Sequence, residues 1–303
     1  MKASLFTQCC SIIGTIWAGT VLLPAATLSV PVQYNYTTLA VPGATSSKAH
    51  GISGNNVVGE YYTGGTWQGF LYNGSSYTTL SVPGAVETYA EGIDGNNIVG
   101  YYKAGGKYQG FVYNGSTYTT LNVPGATFTY AQDIDGNNIV GYYYTGSSWQ
   151  GFLYNGSSYI TLSVPGASST VIEGIDGNRI AGYYVSGNSD LPFVYDGSSY
   201  TTLSVPGTQI QSFAMGVSGN NTVGWYYTGS GNQGFLYNGS SYTTLSVPGA
   251  SSTYVYDIDG NNFVGAYDRG AYQQAFLATP VPEPASLALV AIGMAAWVVR
   301  RRA

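Results

Sequence analysis

The 303-residue chain has little cysteine, histidine or charge. Its two cysteines, Cys9 and Cys10, lie in an N-terminal leader, and its one histidine is His50. Beyond the leader there is no thiol. Disulfide staples, thiol nucleophiles and Cys-ligated metal are therefore excluded, although an oxidising compartment would permit bridges. A single histidine rules out a histidine-cluster metal site. A Ser-His-acid triad would need His50 as its base, and no Gly-x-Ser-x-Gly elbow accompanies it. Charged residues make up 8% of the chain, with 14 acids and 9 bases. Setting aside Glu283 leaves 13 acids, and setting aside Lys2, Arg300, Arg301 and Arg302 leaves 5 bases. Such a surface offers no basic stripe to neutralise phosphates, which excludes nucleic acid as a partner.

What the chain does have is repetition. Val-Pro-Gly begins at Val41, Val82, Val123, Val164, Val205 and Val247, a spacing of 41 residues that becomes 42 in the last interval. Gly-Asn-Asn recurs in step at Gly54, Gly95, Gly136, Gly219 and Gly260, with Gly-Asn-Arg at Gly177. A fixed period of about 40 residues marks a propeller or a repeat array. The second copy predicts four short strands. The first runs from Thr88 to Ile93 and ends at an Asp94-Gly95-Asn96 turn, and the second runs from Asn97 to Tyr102. The third runs from Gln109 to Tyr113, where Asn114-Gly115 turns the chain into the fourth, from Tyr118 to Val123. In the second strand both faces are apolar, as for a strand covered on both sides. The fourth strand alternates and ends at Pro124, as suits an edge.

Inner strands buried twice and an outer strand half wet describe a β-propeller blade. The first fragment, Tyr36 to Val41, supplies only a fourth strand, and the last, through Gln274 to Leu277, supplies only the first three. The expected fold is all-β, a six-bladed propeller of four-stranded repeats over residues 33–278, closed where the N-terminal strand joins the C-terminal blade. That arrangement removes the exposed strand edges that invite aggregation.

Residues 1–29 read as a secretory signal peptide, with Lys2 followed by an apolar run from Ile12 to Leu23. At the other end, Val281-Pro282-Glu283-Pro284 precedes an apolar run from Ala285 to Val299 and then Arg300-Arg301-Arg302. As a helix this run spans roughly 22 Å, short of the roughly 30 Å of a bilayer core, so it reads as a marginal membrane helix within the tail 279–303. The arginines place the tail end in the cytoplasm and the repeats outside.

This tail resembles the PEP-CTERM sorting signal of Gram-negative bacteria. The resemblance implies that an exosortase recognises Val281, Pro282, Glu283 and Pro284 together with Arg300, Arg301 and Arg302. It further implies transient residence in the inner membrane, delivery to the cell surface or extracellular space, and a host that makes exopolysaccharide. The repeats resemble the extracellular HAF repeat through Gly92-Ile93-Asp94, Ile98-Val99-Gly100 and Gln109-Gly110-Phe111. They depart at the namesake, where His-Ala-Phe is Gln274-Ala275-Phe276 in the last copy and Gln-Gly-Phe in four others.

Few residues offer chemistry, and the expectation is a non-enzymatic protein without cofactor or metal. Asp94, Asp135, Asp176 and Asp259 recur in one turn, with Ser53 and Ser218 in the other copies. They read either as a calcium ring or as turn-formers bonding nearby backbone; serine suits only the second role. Glu91 and Glu173, in the channel-side strand of alternate blades, are the candidates for a glycosidase pair. Asn73, Asn114, Asn155 and Asn238 fit the glycosylation sequon, but Asn-Gly is the hairpin turn itself. Trp67, Tyr108, Trp149 and Tyr272 are expected in the loops between second and third strands, on the face that carries the Val-Pro-Gly connections. There they would either stack on sugar rings or plug the gaps between blades. The resulting expectation is an exported propeller binding polysaccharide or a surface partner. The alternatives are a purely structural matrix protein or a carbohydrate-active hydrolase or lyase.

Overall fold

In the computed structural model residues 32–208 and 211–282 are described. The leader 1–29, the apolar run 285–299, Glu283, Pro284 and Arg300 to Arg302 lie outside the described residues. Six four-stranded antiparallel sheets form a six-bladed β-propeller, and every regular element among the described residues is a strand. Blades one to five occupy residues 46–80, 87–121, 128–162, 169–202 and 212–245. Blade six takes its first three strands from residues 253–280 and its outer strand from Tyr34–Thr38. That outer strand pairs with Tyr272–Pro280, with Tyr36 opposite Ala278 and Thr38 opposite Phe276.

Blade two shows how the local sequence makes the sheet. Its inner strand, Glu87–Asp94, turns into the second, Asn97–Ala104, through Gly95 at φ 57°, a left-handed conformation that glycine adopts freely. Asn114 ends the third strand, Lys107–Tyr113, and its Oδ1 accepts the N–H groups of Ser116 and Thr117 at 3.0 and 2.9 Å. The outer strand, Tyr118–Leu121, exposes Thr119 and Thr120 and buries Leu121. Ile98, Val99 and Tyr102 of the second strand are all buried, as a strand covered on both sides requires. One phenylalanine per blade (Phe70, Phe111, Phe152, Phe193, Phe235 and Phe276) anchors the core at 0–1% exposure.

Each inner strand carries a bulge, which the periodicity alone does not reveal. The register slips between Ala49 and Gly51, Ala90 and Gly92, Ala131 and Asp133, Ile172 and Gly174, Ala214 and Gly216, and Val255 and Asp257. The skipped residues are His50, Glu91, Gln132, Glu173, Met215 and Tyr256, a position that carries five residue types in six copies. A bulged residue has no cross-strand partner, so its side chain can be aimed elsewhere. Close approach makes the bulge possible: at Gly100 a Cβ would overlap the carbonyl oxygen of Tyr89, and the equivalent glycine in every blade is equally confined.

Two sets of polar bonds tie neighbouring blades. Buried Thr88, Thr129, Thr170 and Thr253 accept the N–H of the Val-Pro-Gly valine before them, at 2.9–3.1 Å. The turn aspartates bond the next blade rather than their own turn, which corrects the expectation of a local bond. Asp94 Oδ2 accepts Gly136 N–H at 2.9 Å, Asp135 accepts Gly177 at 2.8 Å, and Asp259 accepts Gly54 at 2.6 Å. Ser218 and Ser53 take the same place toward Gly260 and Gly95, at 3.1 and 3.4 Å. A serine hydroxyl does this as well as a carboxylate, which explains why the repeat tolerates both.

Candidate functional site

The inner and third strands bring the aromatics together at one mouth of the channel. Trp67, Tyr108 and Trp149 are not in loops. They lie at the start of third strands, paired opposite Tyr62, Lys103 and Tyr144. Tyr272 lies one register position earlier, opposite Arg269, and in blade six Gln273 takes the place that Trp67 holds in blade one. One residue of offset turns a strand side chain to the other face. Tyr272 is accordingly 58% exposed and stands apart from the other three.

The remaining three rings are half-buried, and one of them, Tyr108, bridges two blades. Tyr108 packs on Tyr101 of its own blade and on Tyr130 of the next, with centroids 5.8 and 5.4 Å apart. Trp149 packs on Tyr130, Tyr142 and Tyr144 at 5.6, 5.5 and 4.8 Å. Tyr108 thus fills a gap between blades, and Trp67 and Tyr108 also wall a cleft. Lys48, Glu60, Trp67, Tyr89, Tyr101, Tyr108 and Tyr130 enclose about 340 Å³. Lys48 Nζ lies 5.2 Å above the Trp67 ring and Lys103 Nζ 5.6 Å above Tyr108, both within cation–π range. Blades four to six carry Asp190, Asn232 and Gln273 at the equivalent positions, so the aromatic wall belongs to blades one to three.

Beneath the cleft lies a cluster of ionisable groups. Glu60 Oε1 accepts Lys48 Nζ at 2.7 Å and faces His50 Nε2 at 3.7 Å. The other ring nitrogen, His50 Nδ1, is 3.0 Å from Glu91 Oε2, and the imidazole stacks on Tyr256 with centroids 4.6 Å apart. Burial pushes the Glu91 carboxyl up to about 7, with Glu60 adding to the rise and His50 opposing it. Burial alone would also raise Glu60, but His50 and Lys48 outweigh it and hold this carboxyl low. Against the penalty of burial, Glu91 and Glu60 keep the His50 pKa above its usual value. Three side chains with metal-ligating atoms thus meet, a group the sequence did not suggest. One such atom from each residue lies within 4.8 Å of the other two. The geometry is that of an ion-paired cluster.

Glu173 also lines the channel, and burial, with the Glu91 charge added, drives its pKa well above the ordinary range. At the opposite end, the tips of all six inner strands enclose about 110 Å³. Asp133 and Asp257 stand there where the other four blades have glycine. Asp133 accepts Ile175 N–H at 2.8 Å and Asp257 accepts Ile52 N–H at 2.9 Å. Burial pushes Asp133 up to about 7, and burial followed by the charge of Asp133 pushes Asp257 well above the ordinary carboxylate range. The residues that sequence reasoning missed here (Lys48, Glu60, Asp133 and Asp257) all occupy positions where two or three copies break the repeat.

The tail is matched by a family model described as the PEP-CTERM protein-sorting motif, over residues 280–302. The chain carries that sorting motif. It marks an exported protein, sorted to the cell envelope or surface through an exosortase. Val281 and Pro282 of the motif are described, and Val281 N–H donates to Gln33 O at 2.8 Å. No curated protein matches the chain.

Several solved propellers resemble it in shape. A puromycin-hydrolyzing peptidase of Mycobacterium tuberculosis is 11% identical with a TM-score of 0.49, covering 82% of this chain and 54% of its own. The β-propeller domain of the Trilobed protease from Pyrococcus furiosus is 10% identical with a TM-score of 0.47, covering 79% and 99%. TolB from Acinetobacter baumannii is 18% identical with a TM-score of 0.44; the match covers 56% of this chain and 45% of TolB, less than half its length. At these identities and scores the likenesses carry nothing about activity.

Proposed function

We propose that the chain is an exported, non-enzymatic propeller that binds a saccharide unit of an extracellular polysaccharide in the aromatic cleft of blades one to three. The N-terminal strand would close the disc that holds this cleft. The C-terminal helix would hold the chain in the inner membrane until an exosortase acts on the tail. The observation that carries the binding reading is the aromatic wall itself: Trp67, Tyr89, Tyr101, Tyr108 and Tyr130 around about 340 Å³, with Lys48 and Glu60 at its floor. Flat rings give a sugar's C–H face a surface to stack on, and a few fixed polar groups set its orientation. Binding is favoured over hydrolysis because the acids are already engaged. Glu60 is 3% exposed and tied to Lys48, and Glu91 is 6% exposed and tied to His50.

The test is saccharide binding by the exported protein, with exopolysaccharide from the producing cells as the probe. Trp67→Ala should weaken retention about tenfold or more, the equivalent of about 1.4 kcal/mol, while thermal unfolding stays cooperative. Absence of binding by the unaltered protein would leave only a structural matrix role. Release of reducing sugar or unsaturated uronate would make it an enzyme instead. For the tail, Glu283→Ala or loss of Arg300 to Arg302 should leave full-length protein in the inner membrane; unchanged processing would remove the exosortase assignment.

A further inference from the structure

Away from the channel, the rim of the propeller repeats one feature in every blade. The second-strand tyrosine shares a hydrogen bond with the outer-strand threonine. The distances are 2.8 Å for Tyr267 and Thr38, 2.9 Å for Tyr61 and Thr79, and 2.9 Å for Tyr102 and Thr120. They are 3.0 Å for Tyr143 and Thr161, 3.0 Å for Tyr184 and Thr202, and 3.5 Å for Tyr226 and Thr244. Every one of these threonines is exposed. At two junctions, far apart around the rim, the pair opens on a groove of the same construction. Between blades one and two, Val82 and Pro83 face Tyr102, Tyr118 and Thr120 across about 450 Å³. Between blades five and six, Val247 and Pro248 face Tyr267, Tyr36 and Thr38 across about 580 Å³. The second groove is built partly from the N-terminal strand, yet its residues correspond position by position to those of the first.

The chemistry of the groove selects its occupant. One wall is an apolar Val-Pro step, the other a tyrosine ring with a Tyr–Thr hydroxyl pair that can both donate and accept. The groove between blades one and two has no acid or base in its lining, and the one between blades five and six adds only Asp268 and Arg269, of opposite sign. A charged ligand would find no net counter-charge in either groove, whereas a neutral sugar matches both the apolar step and the hydroxyl pair. Because the feature recurs once per blade, the matching ligand is a polymer that itself repeats. Weak contacts then combine through effective concentration without any single groove binding tightly.

We propose that the groove seen at these two junctions has an equivalent at every blade that carries the Tyr–Thr pair, six sites for neutral hexose units in all, making the propeller a multivalent ligand of a neutral polysaccharide, independently of the channel-mouth cleft. The experiment titrates the full-length protein in detergent with laminarihexaose, cellohexaose and isomaltohexaose. An alginate hexamer serves as the charged control, and retention on the parent glucans is measured alongside. At least one neutral hexasaccharide should saturate at about six per chain, with the polymer held about 100-fold more tightly or better. A variant with Thr79→Arg, Thr120→Arg and Thr161→Arg plugs three grooves at exposed positions; it gives up three Tyr–Thr hydrogen bonds, so its melting temperature should fall while unfolding stays cooperative. Its stoichiometry should halve and its polymer retention should collapse. Trp67→Ala should leave this stoichiometry within one of the original. Absence of binding by every neutral glucan, preference for alginate, a single site per chain, or six sites unaffected by the triple variant would each overturn the proposal. A single site abolished by Trp67→Ala would overturn it while keeping the cleft.

Discussion

Raising the pH from 5 to 8 should destabilise the propeller, and Glu91 is the group through which this can be measured. Its carboxyl moves from an ordinary 4.5 to about 7 on folding, with burial as the main cause. A raised folded-state pKa means the native protein holds a proton that the unfolded chain has lost. Stability from that proton is complete below about 4.5 and disappears as the pH passes 7. Between pH 5 and pH 8 the loss from Glu91 alone is about 2–3 kcal/mol. Asp133, moved from 3.8 to about 7, and Glu173 and Asp257, both raised, act in the same direction. His50, with its raised pKa, also loses its contribution as the pH climbs. Glu60 opposes them only in acid, because its lowered pKa costs stability as the pH falls below about 4.5. Stability should therefore peak near pH 5. A domain of this size shifts by about 2–4 °C per kcal/mol, so the Glu91 share corresponds to about 5–10 °C in melting temperature. Thermal unfolding followed by circular dichroism at pH 5, 6, 7 and 8 reads it directly. Glu91→Gln supplies the control, since Gln132 already occupies the same bulge in blade three. The variant should flatten the pH profile by the Glu91 share. A melting temperature as high at pH 8 as at pH 5, or a profile unchanged in Glu91→Gln, would refute the reasoning.

Three further outcomes follow from the packing. Gly100→Ala should cost about 3 kcal/mol or more, because its Cβ would meet the backbone of Tyr89 rather than a movable side chain; chemical denaturation measures the loss. Phe111→Ala empties a fully buried site and should cost about 3–5 kcal/mol by the same assay. Deleting Tyr34–Thr38 exposes the edge of Tyr272–Pro280 and should add concentration-dependent aggregation in light scattering; a deletion no more aggregated than the intact protein would remove the role given to that strand.

The 41-residue period, the Asn-Gly turns and the alternating faces made the blade legible before any coordinates. They depend on local chemistry, namely left-handed glycines, Asx turns and the two-residue side-chain period. The sequence also pointed to a strand for the incomplete last blade, because the first fragment holds what the last one lacks. The site was less legible. Periodicity placed Tyr272 beside Trp67, but a single residue of register put them on opposite faces. The turn aspartates looked like local turn-formers, and only the packing of one blade on the next showed that they reach across. His50, Glu60 and Glu91 come from three strands in two blades, and no spacing in the chain announces that they meet. The bulge decides it by turning one residue per inner strand toward the channel, and burial there moves the proton affinities. Sequence alone therefore determined the repeating unit, because hydrogen-bonded turns and side-chain alternation are properties of neighbouring residues. Tertiary structure alone decided which side chains share the channel, because contact between blades and exclusion of water belong to the assembled disc.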